Sequence, residues 1–530
     1  MKRFGSIFPF LEAGAGDHHI GRLVANQDFV KAVLRFGNFD EFVFSNTSVS
    51  NLKAFQAAAE GWGLPAGRID RIRGVSYQQL PAVLRQDDFH VFHLGGWGSM
   101  MAGLHYIRAT HARTPWPITA VIHSLNGREV VDHAVRLTHA RLAPQDAIFC
   151  TSHDGLDAMQ RLLDGGERIT GRKFAGQLRH VPLGIDDGLF ESGGDRARGR
   201  ARLRIAADAV VLLALGRMTP AQKMDLGPLC RLLATRIVPS SQVPVVLLIA
   251  GGASQSDLAG VRDLVRRHNL DAHVRLFANF PIKDKPDVLA MSDILVSPVD
   301  NTQETFGLSV VEAMAAGLPV VASKFDGYKD LVEDGVDGFL VDTWSSDSDP
   351  VAEWFDLMDR DITQLFQSQG VAVDLEQLGD RLLTLIADPA RREAMGRAGR
   401  AKAERAYRWS HVIARYEQEW DRLRASAAAI PRSAAPADNP WALGSTQIFA
   451  GYASRRLAPD TVVRAASARL DETPFNETAA VLTPALLTAV LAAAARPAPV
   501  RAIVQSVDAP PSHVMFALLW MLKYGGIRAE

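Results

Sequence analysis

Short apolar runs bounded by turn residues recur along the first third of the chain, each followed by a polar or amphipathic stretch of helix length. They fall at 4–10, 41–45, 90–94, 118–123, 147–151 and 178–183. Runs of this length, separated by helix-length segments, read as buried parallel strands in βα units. The pattern then restarts, with runs at 210–216, 243–250, 274–278, 294–298, 319–323 and 338–341. Two such series in tandem predict an α/β protein with two doubly wound parallel sheets. Pro182 and Gly184, in Pro182-Leu183-Gly184-Ile185-Asp186, mark a hinge between them, which divides the body into 1–184 and 185–400.

The region after the second series changes character. Residues 385–423 read as helical with one interruption at Asp388-Pro389, and Trp409, Ile413, Tyr416 and Trp420 recur at helical spacing. Segment 401–424 is therefore expected as a helix packed on the body, followed by an Ala/Pro-rich linker at 425–440. The remaining 441–530 reads as a small, mostly helical module with helices at 482–494, 500–507 and 512–524. Ser512 is the expected N-cap of the last helix, and Gly525-Gly526 its stop. Helices followed by a Gly turn and Ile527-Arg528 resemble a small winged-helix module. Its charges form no basic face, which points to protein docking or dimerisation rather than DNA binding.

Composition narrows the class. At 530 residues the chain is too long for one ordinary core, and 47% hydrophobic with 22% charged residues suits a well-folded protein. A formal charge of −1 argues against a general nucleic-acid binder. Cys150 and Cys230 lie in apolar segments and read as core residues. No apolar run approaches the roughly 18–20 residues that span a bilayer, and the early Glu12 and Asp17 do not suit a signal peptide. The expected location is the cytoplasm, with peripheral membrane contact left open.

The most informative stretch is 304–323, which follows the run Ile294-Leu-Val-Ser-Pro298. A loop carries Glu304, a helix begins near Gly307-Leu308-Ser309, Gly317 ends it and Pro319 blocks its continuation. A helix start at a strand's C-terminal end is where an open α/β sheet binds anions, so the amides of Phe306, Gly307 and Leu308 suit a diphosphate. If all of 304–312 were helix, Glu304 and Glu312 would lie about 12 Å apart. That is too far for a shared proton, but it suits two carboxylates gripping different parts of one long ligand. The alternative is a helix-terminal acid plus a solvated one. In Leu215-Gly216-Arg217-Met-Thr-Pro-Ala-Gln-Lys223, two cations follow another strand and can oppose a diphosphate, Arg217 with two donors at once. Gly14 and Gly16 form a G-x-G after the first strand, which is weak evidence alone. His123 ends a buried strand, where a lone His is commonly a packed, hydrogen-bonded residue. Adjacent His18-His19 and the Asp347-Ser-Asp349 triplet do not make a metal site, so none is expected.

Segment 298–323 resembles the E-x7-E signature of the retaining family-4 glycosyltransferases, the glycosyl transferases group 1, and the resemblance extends over about residues 1–423. It implies the GT-B fold, in which two Rossmann-like domains face a cleft and the C-terminal helix crosses back to the first. It further implies transfer of a sugar, with retention, from a nucleotide-diphosphate donor of UDP or GDP type to a hydroxyl acceptor, without a cofactor or metal. By position in the motif, Glu304 is expected at the donor sugar, Glu312 at the ribose, and Arg217 and Lys223 on the phosphates. His123 is implied at the sugar, Gly14 and Gly16 in the loop facing donor and acceptor, and Phe277 and Phe280 near the nucleobase. Asp326 and Asp330 stand where the family usually has Gly and Glu. A sugar-nucleotide epimerase, a phosphorylase or a non-catalytic sugar-nucleotide scaffold would share this architecture.

Overall fold

A computed structural model describes residues 1–7, 21–45, 49–127, 129–140, 142–191, 193–348, 351–428, 439–467, 472–475, 478–479 and 481–530. The chain divides into two compact units, Met1–Tyr77 with Pro81–Pro436, and Ala437–Glu530 with Gln78–Leu80.

The larger unit holds two sheets. The first contains β1 (Arg3–Ser6), β2 (Glu41–Ser45), β3 (Ile72–Val75), β4 (Val91–Leu94), β5 (Ile118–Val121), β6 (Ala147–Cys150) and β7 (Gln177–His180). The second contains β8 (Val210–Leu215), β9 (Val245–Gly251), β10 (Val274–Ala278), β11 (Ile294–Ser297), β12 (Val320–Ser323) and β13 (Gly338–Val341). Their orders are β3-β2-β1-β4-β5-β6-β7 and β10-β9-β8-β11-β12-β13, and every pairing is parallel. All six residues of β8, Val-Val-Leu-Leu-Ala-Leu, are buried, as both faces of a helix-covered strand must be. The strand the sequence pattern misses is β3, Ile-Arg-Gly-Val, whose Arg73 and Gly74 break the apolar run. An edge position tolerates them, because only one neighbour needs to be satisfied.

In both sheets the strand order reverses beside the first strand, between β1 and β4 and between β8 and β11. Connections leave such a pair in opposite directions, and a crevice opens at the strands' C-terminal ends.

The helical region after the second sheet differs from its expected form. Helix Pro389–Tyr407 stops, and a new helix, Trp409–Ala428, begins. Arg408 between them is extended (φ −62°, ψ 137°) and forms a bridge with Ile185, whose N–H donates to the Tyr407 carbonyl at 2.9 Å. The hinge and the returning chain therefore cross as a small parallel pair. Helix Trp409–Ala428 lays Trp409, Tyr416, Trp420 and Leu423 into the core of the first sheet's domain with Phe4, Phe29, Phe39 and Phe149. Residues 425–428, expected in the linker, belong to this helix, and Ala427 is buried. Alanine's helix propensity favours the added turn.

The C-terminal unit holds the three expected helices and, beside them, a small sheet. Val462–Ala465 lies at the centre of a three-stranded antiparallel sheet, between Ala498–Pro499 and Ile527–Ala529. Helices Pro484–Ala493, Val500–Ser506 and Pro511–Lys523 pack on it around Val463, Leu482, Val490, Ile503, Leu518 and Met521. Ser512 does not cap the last helix. Pro510 holds the N-cap position and Pro511 the first turn, where a missing N–H costs nothing.

Candidate active site

The loops after β8 and β11 flank the second sheet's reversal point, and they carry Arg217, Lys223 and Glu304. Their meeting is built from the backbone upward. Gly216 has φ +153°, and a Cβ there would lie 2.9 Å from the Lys223 side chain, so Lys223 folds back over its own strand end. The Asn301 amide donates to the carbonyls of Pro220 (3.1 Å) and Ala221 (2.7 Å), tying the two loops together. Asp300 accepts from the Asp225 N–H at 3.3 Å.

The result is a buried cation–carboxylate pair. Lys223 Nζ lies 2.5 Å from Glu304 Oε2, with 11% and 21% of the two side chains exposed. It also donates to Tyr328 Oη (3.1 Å) and Ser309 Oγ (3.4 Å), and the fully buried Tyr328 hydroxyl bonds Ser297 Oγ at 2.9 Å. Burial alone would lower the Lys223 ammonium, but Glu304 and Tyr328 hold it above its ordinary value. Burial would raise Glu304, yet Lys223, the Phe306 backbone and Arg217 bring it below the usual carboxylate range. Both groups are therefore charged. Arg217 turns toward Gln222, donating to its Oε1 (2.5 Å) and carbonyl (3.2 Å), and burial lowers its guanidinium.

Helix Leu308–Ala315 begins at Gly307 (φ +107°) with no side chain capping its first amides. A Cβ on Gly307 would meet the Tyr328 ring at 2.4 Å, so this position needs Gly for both its dihedral and its space. Phe306 is buried, edge-on to Tyr407 at 5.9 Å, and contributes its backbone rather than its ring. Asp326 adopts φ +49° where a Gly would relax. Burial first, and then Glu304, push its carboxyl well above the ordinary value.

The first domain meets this loop directly. Thr151 Oγ donates to the Thr305 carbonyl at 3.1 Å, and the Asn126 amide reaches Thr302 Oγ at 3.4 Å. His123 lies two residues past β5, with Nε2 3.0 Å from Asn26 Oδ1 and 2.9 Å from the Gly95 carbonyl.

The remaining expected residues lie apart from the Lys223–Glu304 pair. Glu312 binds Lys285 Nζ at 2.7 Å, with 12% and 18% exposure. Phe277 and Phe280 stack on each other (5.1 Å, 19°), with Arg202 over Phe277. Gly14, Gly16, His18 and His19 lie outside the described residues. Sequence reasoning missed Tyr328, Ser297, Asn301 and Lys285. Each acts through a neighbour far along the chain, and no local spacing signals it.

The tandem sheets, each with its reversal crevice, and the helix that returns to the first domain define the GT-B architecture. Anabaena HepE in complex with UDP shares it, with a TM-score of 0.53 at 17% identity over 79% of this chain and 99% of that one. A glycosyltransferase from Rickettsia africae does so with a TM-score of 0.54 at 11% identity over 80% and 98%. Residues 195–353, which contain the second sheet, match the family model for glycosyl transferases group 1. The D-inositol 3-phosphate glycosyltransferase of Segniliparus rotundus is 32% identical over 227 residues, 42% of either chain. That of Kribbella flavida is 27% identical over 61% of this chain and 73% of its own. The chain spans about half the length of the first curated relatives it matches, from 42% to 52%. Among the described residues, no helix is long and apolar enough to cross a membrane.

Proposed function

We propose that this chain is a retaining glycosyltransferase, moving a sugar from a UDP- or GDP-type donor to a hydroxyl of a glycan, lipid or other acceptor. The observation that carries the reading is the buried Lys223–Glu304 pair at the reversal point, beside the uncapped start of helix Leu308–Ala315. A cation, a second cation at Arg217 and free amides converge where a diphosphate's charge would lie.

When the donor enters, its phosphates compete with Glu304 for Lys223, and the released carboxylate is left facing the sugar. As the anomeric C–O bond breaks, negative charge grows on the departing diphosphate. Arg217, Lys223 and the amides at 307–308 stabilise it without reorganising, which is where fixed charges lower a barrier most. The acceptor hydroxyl attacks from the face the diphosphate leaves, and a leaving phosphate oxygen takes its proton. Glu304 orients the sugar and stabilises the cationic centre. Glu312 serves the ribose hydroxyls and His123 the donor sugar. Two protein cations supply the countercharge, so the reaction needs no metal.

A screen of nucleotide sugars by thermal stabilisation and slow donor hydrolysis identifies the donor. With that donor, Glu304→Ala and Lys223→Ala should each lower turnover at least about 100-fold while the fold persists. Near-wild-type rates in both variants would overturn the assignment.

A further inference from the structure

Outside the donor crevice, the described residues contain a cluster with metal-ligating chemistry: His153, His180 and Asp330. His153 opens the helix after β6, His180 ends β7, and Asp330 lies in the short helix Tyr328–Leu331 of the second sheet's domain. Asp330 is 150 residues beyond His180 and comes from the opposite side of the seam, so no local motif announces the cluster.

We propose that His153, His180 and Asp330 form a divalent transition-metal site that clamps the two Rossmann-like domains together. The donor atoms all lie within 4.8 Å of one another. His153 Nδ1 is 2.9 Å from Asp330 Oδ1, and His180 Nε2 is 3.9 Å from Asp330 Oδ2. Ligands bound at about 2.0–2.1 Å in a tetrahedron sit roughly 3.3 Å apart. The 2.9 Å contact and the 4.8 Å limit lie either side of that value, so ligation asks for side-chain shifts of about 1 Å.

The orientation is already supported. The His153 N–H donates to Asp330 Oδ2 at 2.7 Å and fixes the carboxylate plane, leaving Oδ1 toward the ring. The rings of His153 and His180 lie side by side, with centroids 4.1 Å apart. His153 is 69% exposed, which gives an ion a route in, while His180 and Asp330 are 28% and 25% exposed.

Two imidazoles and one carboxylate select Zn²⁺ or Co²⁺ over Mg²⁺ or Ca²⁺, and the fourth position is left for water. Without the ion, the seam holds a hydrogen-bonded His–Asp contact and the adjacent Lys329–Asp154 pair (2.5 Å). With it, the segment carrying Tyr328, which braces Lys223 and Gly307, is tied to the first domain. Occupancy would thus couple metal to domain closure, with no part in the bond-making step.

The test uses the full chain freed of metal by a chelator and titrated with Co²⁺, followed by its visible tetrahedral absorption, and separately with Zn²⁺, followed by Tm. One equivalent of Co²⁺ displaced by Zn²⁺ is expected, with a Zn²⁺-dependent rise in Tm. His153→Ala and Asp330→Asn should each weaken binding at least about tenfold and abolish the rise in Tm. Unchanged Co²⁺ affinity in whichever variant folds, or no spectrum at millimolar Co²⁺, would overturn the site. Because both readouts are independent of sugar transfer, their failure leaves the glycosyltransferase reading intact.

Discussion

Replacing Lys223 with Met removes one charge from the Lys223–Glu304 pair and keeps most of the apolar stem. At 2.5 Å, an effective dielectric of about 20 gives a gross attraction of about 6–7 kcal/mol. Most of that is not net stability, because both charges paid desolvation on folding and neither is wholly shielded from water. Glu304 would also keep its Phe306 backbone bond and the nearby Arg217. The loss should therefore fall near about 3 kcal/mol, the low end of what breaking a buried pair costs. Glu304→Gln leaves Lys223 with Tyr328 and Ser309, so it should cost less. Combining the two removes both stranded charges, and the double variant should be more stable than the sum of the singles by about 2 kcal/mol. Urea unfolding followed by tryptophan fluorescence, with m-values compared across the cycle, measures this coupling. Additivity within about 0.5 kcal/mol would refute the view that the two charges depend on each other.

Two further outcomes follow from single positions. Burial, with Asp225 adding to it and the Asp225 N–H opposing, pushes the Asp300 carboxyl up to about 7 from 3.8. The native state then keeps its proton while the unfolded chain ionises, so the wild type loses stability as pH rises from about 4 to 7 and levels above that. Asp300→Asn should remove this slope, and a Tm difference between variant and wild type that stays constant from pH 4 to 8 would contradict the assignment. At the hinge, a Cβ on Gly184 would lie 2.5 Å from the Trp409 ring, which is 4% exposed. Gly184→Ala should cost about 1–3 kcal/mol by overpacking, read as a lower Tm. An unchanged Tm would show that the indole can move aside.

Much of the frame was legible without coordinates, because a strand buried on both faces must be written as a continuous apolar run. Twelve of the thirteen large-sheet strands overlap an apolar run, although the edge strand Gln177–His180 does so only through Leu178 and the residues that follow it. Ile72–Val75 does not, since an edge strand escapes that demand. The small C-terminal sheet was hidden for a similar reason: Ala498–Pro499 and Ile527–Ala529 are too short to show a period against the apolar helices beside them. Within the site, Gly307, Gly216, Lys223 and Glu304 were visible because a turn at a strand end constrains which residues can stand there. Their partners were not visible.

The sequence by itself determined the two βα series and the residue types held at their strand ends. Only the tertiary structure decided which of those ends meet. Strand order set β8 beside β11 and so joined Lys223 to Glu304 across 81 residues. The packing of two domains across a seam brought Asp330 to His153 and His180. Local spacing encodes helices and strands because they are built from neighbours along the chain. Charge pairs and ligand sets depend on neighbours in space, and burial settles those only when the sheets assemble.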